Sequence, residues 1–297
     1  NTGRIDHIFE DPHAQNPKLH LHYGDLTDTS NLTRILREVE PDEVYNLAAQ
    51  SDVKISFDIP QYTADVTGVG PLRLMDAIRR QCPGAKLYQA GSSEMFGDVL
   101  QTPQTEKTPF NPQSPYAIAK VFAHTTGQRY REGYGLFVSN GILFNHESER
   151  RGEFFVTQKI ALGGARIAQG KQKMLMMGNI ESMRDWGYAP EYVEGMWRML
   201  QYRKPDDFIF ATGDVHSVRE YIEEAFGYLG IPIVWKGKKE KEVGINKNTS
   251  KVIIKINPDL YRPNEVNFLR GDSAKARKLL KWKPKTTFKE LVRIMVD

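Results

Sequence analysis

Tyr116 and Lys120 are the pair whose residue types and spacing speak most directly of chemistry. They lie four positions apart just after Pro115, and on an α-helix an i, i+4 pair shares one face. A phenol beside an ammonium is a candidate acid/base. The positive charge favours phenolate and is expected to draw the tyrosine pKa down toward working pH. A surface tyrosine packed over a lysine stem has the same spacing, so the pair needs context. That context comes from Ala90-Gly91-Ser92-Ser93-Glu94, which closes an apolar run. In an open parallel sheet, ligands bind outside the carboxyl ends of the strands. Ser92 and Glu94 are therefore expected to emerge where Tyr116 can meet them, unless these residues only cap the next turn.

The elements that must position these groups follow from alternating strand-like and helical patterns. Strands are expected at 19–23, 43–48, 86–90, 136–144, 208–211, 233–235 and 251–256. Helical patterns at 31–38, 63–80, 115–132, 155–169, 191–201 and 218–229 lie between or beyond them, and two more follow Asp272 and Thr287, read as N-caps. This order predicts βαβ units and an α/β fold with a Rossmann-like, doubly wound parallel sheet. Residues 1–154 are expected to form a first unit, with returns to its sheet around 180–215. Residues 155–297 are expected to form mainly a smaller α/β second unit. The Lys-rich stretch 236–251 reads as a solvated loop.

Composition narrows the function class. Lys+Arg 41 against Asp+Glu 37 gives only +4, too thin and too evenly spread to argue for nucleic acid. No run approaches the roughly 18 apolar residues of a membrane span. The single cysteine, Cys82, excludes a disulfide within the chain and suits a reducing, cytoplasmic setting. The seven histidines show no metal-ligand spacing, and there is neither a P-loop nor a G-x-S-x-G elbow around Ser92 or Ser93, so no metal is expected.

Taken together, the Ser92 strand end and the Tyr116-x-x-x-Lys120 helix resemble the extended short-chain dehydrogenase/reductase family. More specifically, the motifs Asn46-Leu47-Ala48-Ala49-Gln50-Ser51, Tyr62-Thr63-Ala64-Asp65-Val66, Asn145-His146-Glu147-Ser148, Arg150-Arg151-Gly152, Arg184-Asp185-Trp186-Gly187, His216-Ser217-Val218-Arg219-Glu220 and Tyr261-Arg262-Pro263 resemble its GDP-mannose 4,6-dehydratase branch, across nearly the whole chain. The resemblance implies NADP as cofactor, in a first unit that binds it. Asp25 and Leu26 would hold its adenine, and Leu47, Ala48, Ala49, Gln50 and Ser51 would pass along it with Tyr62 nearby. Tyr116 and Lys120 would hold the nicotinamide ribose, and His146 would contact the nicotinamide end. Arg4 and Arg151 would reach a phosphate, which favours NADP over NAD.

The resemblance also implies GDP-mannose as substrate, held mainly by the second unit through Asn145, Lys159, Arg184, Arg219, Arg262 and Glu265. The implied reaction oxidises carbon 4 through Tyr116 with Ser92 orienting the hydroxyl, removes water across carbons 5 and 6 with Glu94 as base, and returns the hydride to carbon 6. The family usually has Thr where Ser92 stands, a change that keeps the hydroxyl. A homodimer or homotetramer is implied as well. The family's opening strand and Gly-rich turn are not seen before Asn1, and the expectation is that this start has been lost. Gly68-Val69-Gly70 lies inside a helical pattern and does not replace it. Another nucleotide-sugar dehydratase, an epimerase, or a catalytically inactive binding homologue are the alternatives.

Overall fold

The computed structural model describes residues 3–9 and 17–297. In chain order, α1 (Thr29–Val39) leads into β1 (Glu43–Asn46), followed by two short helical turns, α2 (Ile55–Asp58) and α3 (Pro60–Thr63). Next come α4 (Gly70–Gln81), β2 (Lys86–Ala90), α5 (Pro115–Tyr134), β3 (Phe137–Leu143), β4 (Asn145–Glu147), α6 (Val156–Ala168), β5 (Leu175–Met177), β6 (Met183–Arg184) and β7 (Trp186–Tyr188). The chain continues through α7 (Ala189–Gln201), β8 (Asp207–Phe210), β9 (His216–Ser217), α8 (Val218–Tyr228), β10 (Ile233–Lys236), β11 (Val243–Asn246), β12 (Val252–Ile256), α9 (Ala274–Leu280) and α10 (Phe288–Val296).

Strands β1-β2-β3-β8 form a parallel four-stranded sheet, the expected α/β arrangement. Its two faces are sealed by different helices. Leu74, Met75 and Ile78 of α4 pack with Leu36 of α1 against Leu87 and Val138. On the other face Tyr192, Met196 and Met199 of α7 meet Phe208, Phe210 and Trp282. Burying each such side chain contributes about 1.5–3 kcal/mol. A second sheet, β10-β11-β12-β5, packs with α6, α8 and α10 around Ile160, Phe226, Ile254 and Leu291. Between the two sheets, the ribbons β4–β7 and β6–β9 carry residues to the site.

The structure departs from four sequence expectations. Segment 19–23 is not a strand, because β1 pairs only with β2 among the described residues and nothing offers 19–23 a ladder; Tyr23 is 97% exposed. The helix expected at 63–80 is interrupted by a π-type turn, Ala64–Val69, just before Pro71, which has no N–H for the regular ladder. The stretch 236–251 is not all loop. Within it β11 pairs on both sides, its apolar positions hidden among flanking lysines. Thr287 caps α10 in a reciprocal capping box with Glu290, but Ser273 rather than Asp272 occupies the cap position of α9, while Asp272 accepts from the Ala274 N–H at 2.8 Å.

The catalytic-type helix α5 is pinned at both ends. Ser114 accepts from the Ala117 N–H at 3.1 Å, Pro115 fits the first turn, and Gly135 closes the helix at φ 70°. Toward its C-terminal end, Gln128 and Arg131 donate to Asp207 of β8 at 2.6 and 3.0 Å, and Asn140 of β3 adds a bond of 2.8 Å. Burial pushes the Asp207 pKa up, but Arg131, His124 and Gln128 outweigh it and hold the carboxyl below its ordinary range. Asp207→Ala is expected to lower unfolding stability by about 3–5 kcal/mol, because Arg131 loses its buried partner. Denaturant titration should also show the wild-type advantage over Asp207→Asn in full above the ordinary carboxylate pKa and shrinking as pH falls through the depressed one.

Candidate active site

At the end of β2, the Gly91 N–H donates to the Gly141 carbonyl at 2.7 Å, and the chain turns through the 3-10 helix Ser93–Met95. Ser92 caps that turn, its Oγ accepting from the Glu94 N–H at 3.2 Å. Gly97 follows at φ +53°, where an added Cβ would fall 1.9 Å from the Asn111 carbonyl oxygen, so only glycine lets these two backbones approach. Asn111 then donates from its N–H to Met95 at 3.1 Å, which folds 98–113 back and starts α5 beside the strand end. Met95 and Phe96 are fully buried beneath the turn with Ile142 and Phe144.

This fold brings Ser92, Glu94, Tyr116 and Lys120 together around one cavity. Lys120 is buried, with its Nζ donating to the Ala90 carbonyl at 2.9 Å and lying 5.8 Å from the centre of the Tyr116 ring. The expected lowering of the Tyr116 pKa is not found here. Burial pushes the phenol up to about 12, against the opposing pull of the Ser92 hydrogen bond. Burial also lowers Lys120 to about 8. Desolvation therefore outweighs the attraction that helical spacing alone suggested.

Glu94 sits between two arginines. Its Oε1 is 3.6 Å from Nη1 of Arg262 and 4.0 Å from Nη2 of Arg184. Arg184 is buried on β6, and burial lowers its pKa despite Glu94. The neighbouring Asp185 is fully buried and accepts from the Thr212 N–H, the Thr212 hydroxyl and the Gly213 N–H at 2.7–2.8 Å, which fixes the β6–β7 junction that aims Arg184. Glu265 accepts from the Arg262 N–H at 3.0 Å.

His146 on β4 donates from Nδ1 to the Phe144 carbonyl at 2.9 Å, since a carbonyl can only accept, which leaves Nε2 as an acceptor. Its ring stacks on Tyr192 at 5.0 Å, and burial lowers its pKa to about 4, so the imidazole is neutral near pH 7. Beneath it Glu147 is buried, accepting from the Thr157 hydroxyl at 2.7 Å and pairing with Arg151 Nε at 3.1 Å. Arg151 lies 3.7 Å over the Phe155 ring.

The cavity measures about 640 Å³. Leu47, Ala49, Ser51, Asn145, His146, Arg151, Lys159, Arg184, Arg262 and Glu265, all singled out by the sequence, line it. Other residues singled out by sequence do not line it. Leu26 packs in the core with Leu36 and Leu74, and the Asp25 carboxylate accepts from Thr27. Ala48 and Gln50 donate from their backbone N–H groups to Asn46 and Thr67, and Tyr62 is exposed on the outside. Arg219 is committed to Glu181 and Glu242, with its guanidinium 4.6 Å over Trp235.

The sequence reading missed Lys54, Phe154 and Val193, all cavity-lining. Lys54 follows the Leu47–Ser51 passage closely enough to have been flagged, whereas neither spacing nor pattern marks the other two.

The depressed Lys120 pKa has a measurable consequence. Between about pH 8 and the ordinary lysine pKa the unfolded chain binds the extra proton, so folded stability rises with pH. Thermal unfolding from pH 7 to 10 should show wild type gaining on Lys120→Met above about pH 8, by about 1.4 kcal/mol per pKa unit at most.

Comparison with known proteins identifies the family to which the chain belongs. A family model described as GDP-mannose 4,6 dehydratase matches residues 1–295. The chain is 53% identical over 300 residues to the GDP-mannose 4,6 dehydratase of Cricetulus griseus, covering 100% of this chain and 81% of that protein. It is 51% identical over 308 residues to that of Vibrio cholerae, covering 100% and 83%. Among solved structures, RMD from Pseudomonas aeruginosa complexed with NADPH matches with TM-score 0.77 at 24% identity, over 93% of this chain and 85% of that one. DesIV, a dTDP-glucose 4,6-dehydratase from Streptomyces venezuelae with NAD and TYD bound, matches with TM-score 0.79 at 20% identity, over 99% and 81%. The two structures support the fold, and the full-length sequence matches go further: the chain belongs to the GDP-mannose 4,6-dehydratase family.

Proposed function

We propose that this chain is a hydro-lyase that converts GDP-mannose to GDP-4-keto-6-deoxymannose and water. The observation that carries the reading is Glu94, a carboxylate placed by Arg184 and Arg262 in the same cavity as Ser92, Tyr116 and Lys120. An epimerase working only at carbon 4 has no use for a base aimed at carbon 5.

A nicotinamide dinucleotide fits the residues present. Ala49 adds little bulk to the wall along Leu47–Ser51, Lys120 and Tyr116 face the centre, and His146 offers Nε2 without a hydrogen-bond partner among the described residues. Bound there, such a cofactor supplies reversible hydride transfer and, when oxidised, a positive charge that brings the buried Tyr116 phenol down from about 12. Tyr116 then takes the proton of the carbon 4 hydroxyl, which Ser92 orients. The resulting ketone acidifies carbon 5, and Glu94 removes that hydrogen. The carbon 6 hydroxyl departs with the proton that Glu94 took, so the carbon 5 hydrogen and the hydroxyl leave as one water. The hydride removed from carbon 4 would return to carbon 6 and the proton held by Tyr116 would pass to carbon 5, giving the 4-keto-6-deoxy product. Asn145, Lys159, Arg184, Arg262 and Glu265 hold the sugar nucleotide, and Arg219 joins them only by exchanging its carboxylate partners for phosphate.

NADP rather than NAD is supported by Arg4 and Arg151, which line a second depression of about 510 Å³ with Arg150 and His7. Self-association in two or four copies is supported by an exposed apolar band, Ile118 and Phe122 on α5 with Ile55, Ile59 and Tyr62 beside it. The cytoplasmic setting rests on the single cysteine, and no described helix is long and apolar enough to cross a membrane.

Mass spectrometry tests the reaction, because dehydration removes one water whereas epimerisation leaves the mass unchanged. Incubated with GDP-mannose and NADP, the protein should yield the dehydrated product, and Glu94→Gln should slow its formation about 10²–10⁴-fold. A product of unchanged mass, or full dehydration by Glu94→Gln, would overturn the assignment.

A further inference from the structure

Gly187 and His146 are register partners in the parallel pair of β4 and β7. Partners in such a pair project their side chains on the same face of the ribbon. Because residue 187 has no side chain, the space beside the imidazole is open to another group. Tyr192, in the first turn of α7, fills it. Its ring lies 5.0 Å from the His146 ring at an interplanar angle of 14°, within the range at which stacked aromatic rings attract. A Cβ built on Gly187 would run into the Cε2 and Oη atoms of that ring, so a larger residue at 187 displaces Tyr192.

Tyr192 is itself held firmly. It is fully buried, with the Trp282 ring edge-on at 5.5 Å and the Phe210 ring at 6.5 Å. Trp282 donates from Nε1 to the Glu191 carbonyl at 2.6 Å, and the Glu191 carboxylate accepts from the Lys285 N–H, the Thr286 N–H and the Thr286 hydroxyl at 2.9–3.2 Å. Segment 282–286 thereby clamps the first turn of α7. The Tyr192 hydroxyl, by contrast, has no hydrogen-bond partner among the described residues, so the ring is what this residue contributes. The Nδ1 bond to the Phe144 carbonyl fixes one edge of the imidazole and the Tyr192 ring fixes its plane, which together settle where Nε2 lies.

We propose that Gly187 and Tyr192 form a seat for His146, in which Tyr192 is a positioning residue whose ring keeps the imidazole presented to the cavity as the Nδ1–H tautomer. The proposal rests on reading the chain as a nicotinamide-dependent dehydratase in which His146 meets the cofactor, and it adds to that machinery a residue that does not line the cavity. Arg151 is the charged group that bears on His146, and it adds to burial in keeping the ring neutral. Tyr116 and Lys120 of α5 share the cavity, while Glu147, Asp185 and Glu191 surround Tyr192; none of these carboxylates pairs with His146 among the described residues.

Two measurements test this. In cofactor-free protein carrying isotope-labelled histidine, the His146 nitrogen NMR signals are assigned by their loss in His146→Gln. Wild type should show the Nδ1–H tautomer, protonating only near pH 4. Tyr192→Phe should preserve both properties. Tyr192→Leu, or Gly187→Ala if the leucine variant fails to fold, should admit water and move protonation toward the ordinary histidine value of about 6.5. In turnover of GDP-mannose with NADP, Tyr192→Phe should retain the wild-type kcat. Tyr192→Leu should lower kcat about 10²-fold with KM for GDP-mannose within about twofold, and its ratio to wild type should fall further as pH drops from about 8 to about 5.5. An Nε2–H tautomer or ordinary protonation in wild type, equal losses for Tyr192→Phe and Tyr192→Leu, an unmoved His146 titration in Tyr192→Leu and Gly187→Ala, or a wild-type kcat in Tyr192→Leu would each overturn the proposal. If the NMR contrasts hold and wild type yields no dehydrated product, the seat stands and it is the dehydratase reading that fails.

Discussion

A buried ammonium bonded to a strand-end carbonyl sets the geometry on which the rest of the site depends. Lys120 reaches from α5 to the Ala90 carbonyl, the last residue of β2, and the bond lies out of contact with water. It fixes the distance between the helix that carries Tyr116 and the turn that carries Ser92 and Glu94. Its desolvation works against folding, and burial of Tyr88, Met95, Phe96 and the sheet around it offsets that cost. The Asp207 network acts on the same helix further toward its C-terminal end, so α5 is held at two points about half its own length apart. Rigidity along α5 is what lets a phenol, a hydroxyl and a carboxylate from two separate segments share one small volume.

Much of this was legible in the amino-acid sequence, for reasons that are local. The period of α5, the cap at Ser114 and the pairing of Tyr116 with Lys120 are nearest-neighbour properties of a helix, and the Ser92 to Glu94 turn follows from a strand that must end. What the sequence hid depends on partners distant along the chain. Segment 19–23 has the composition of a strand but no neighbour to pair with. Strand β11 looked like a charged loop because its apolar positions are few and acquire meaning only against Ile254 of β12. The direction of the Tyr116 pKa shift reversed for the same reason. A spacing rule sees the lysine four residues away, and the burial that dominates comes from other elements.

The substrate side repeats this lesson in its charges. Arg184 and Arg219 look alike in sequence, yet one is aimed into the cavity by Asp185 on its own strand junction and the other is drawn away by Glu181 and Glu242. Lys54 drew no notice as a lone lysine after a small-residue run, and it gains a partner only because the Asp259 carbonyl comes from the far part of the chain to meet it.

The order in which the chain visits its two sheets carries a mechanical consequence. After β3 it leaves to build β4, α6 and β5, returns through α7 to add β8 to the first sheet, and leaves again for β9 and the second. Several covalent crossings therefore lie between the cofactor-side and substrate-side walls of the cavity, so they cannot drift apart as two bodies on a single tether. The β4–β7 and β6–β9 ribbons, which hold His146 and Arg184, are themselves parts of those crossings, so the groups that meet the substrate are tied covalently to both sheets.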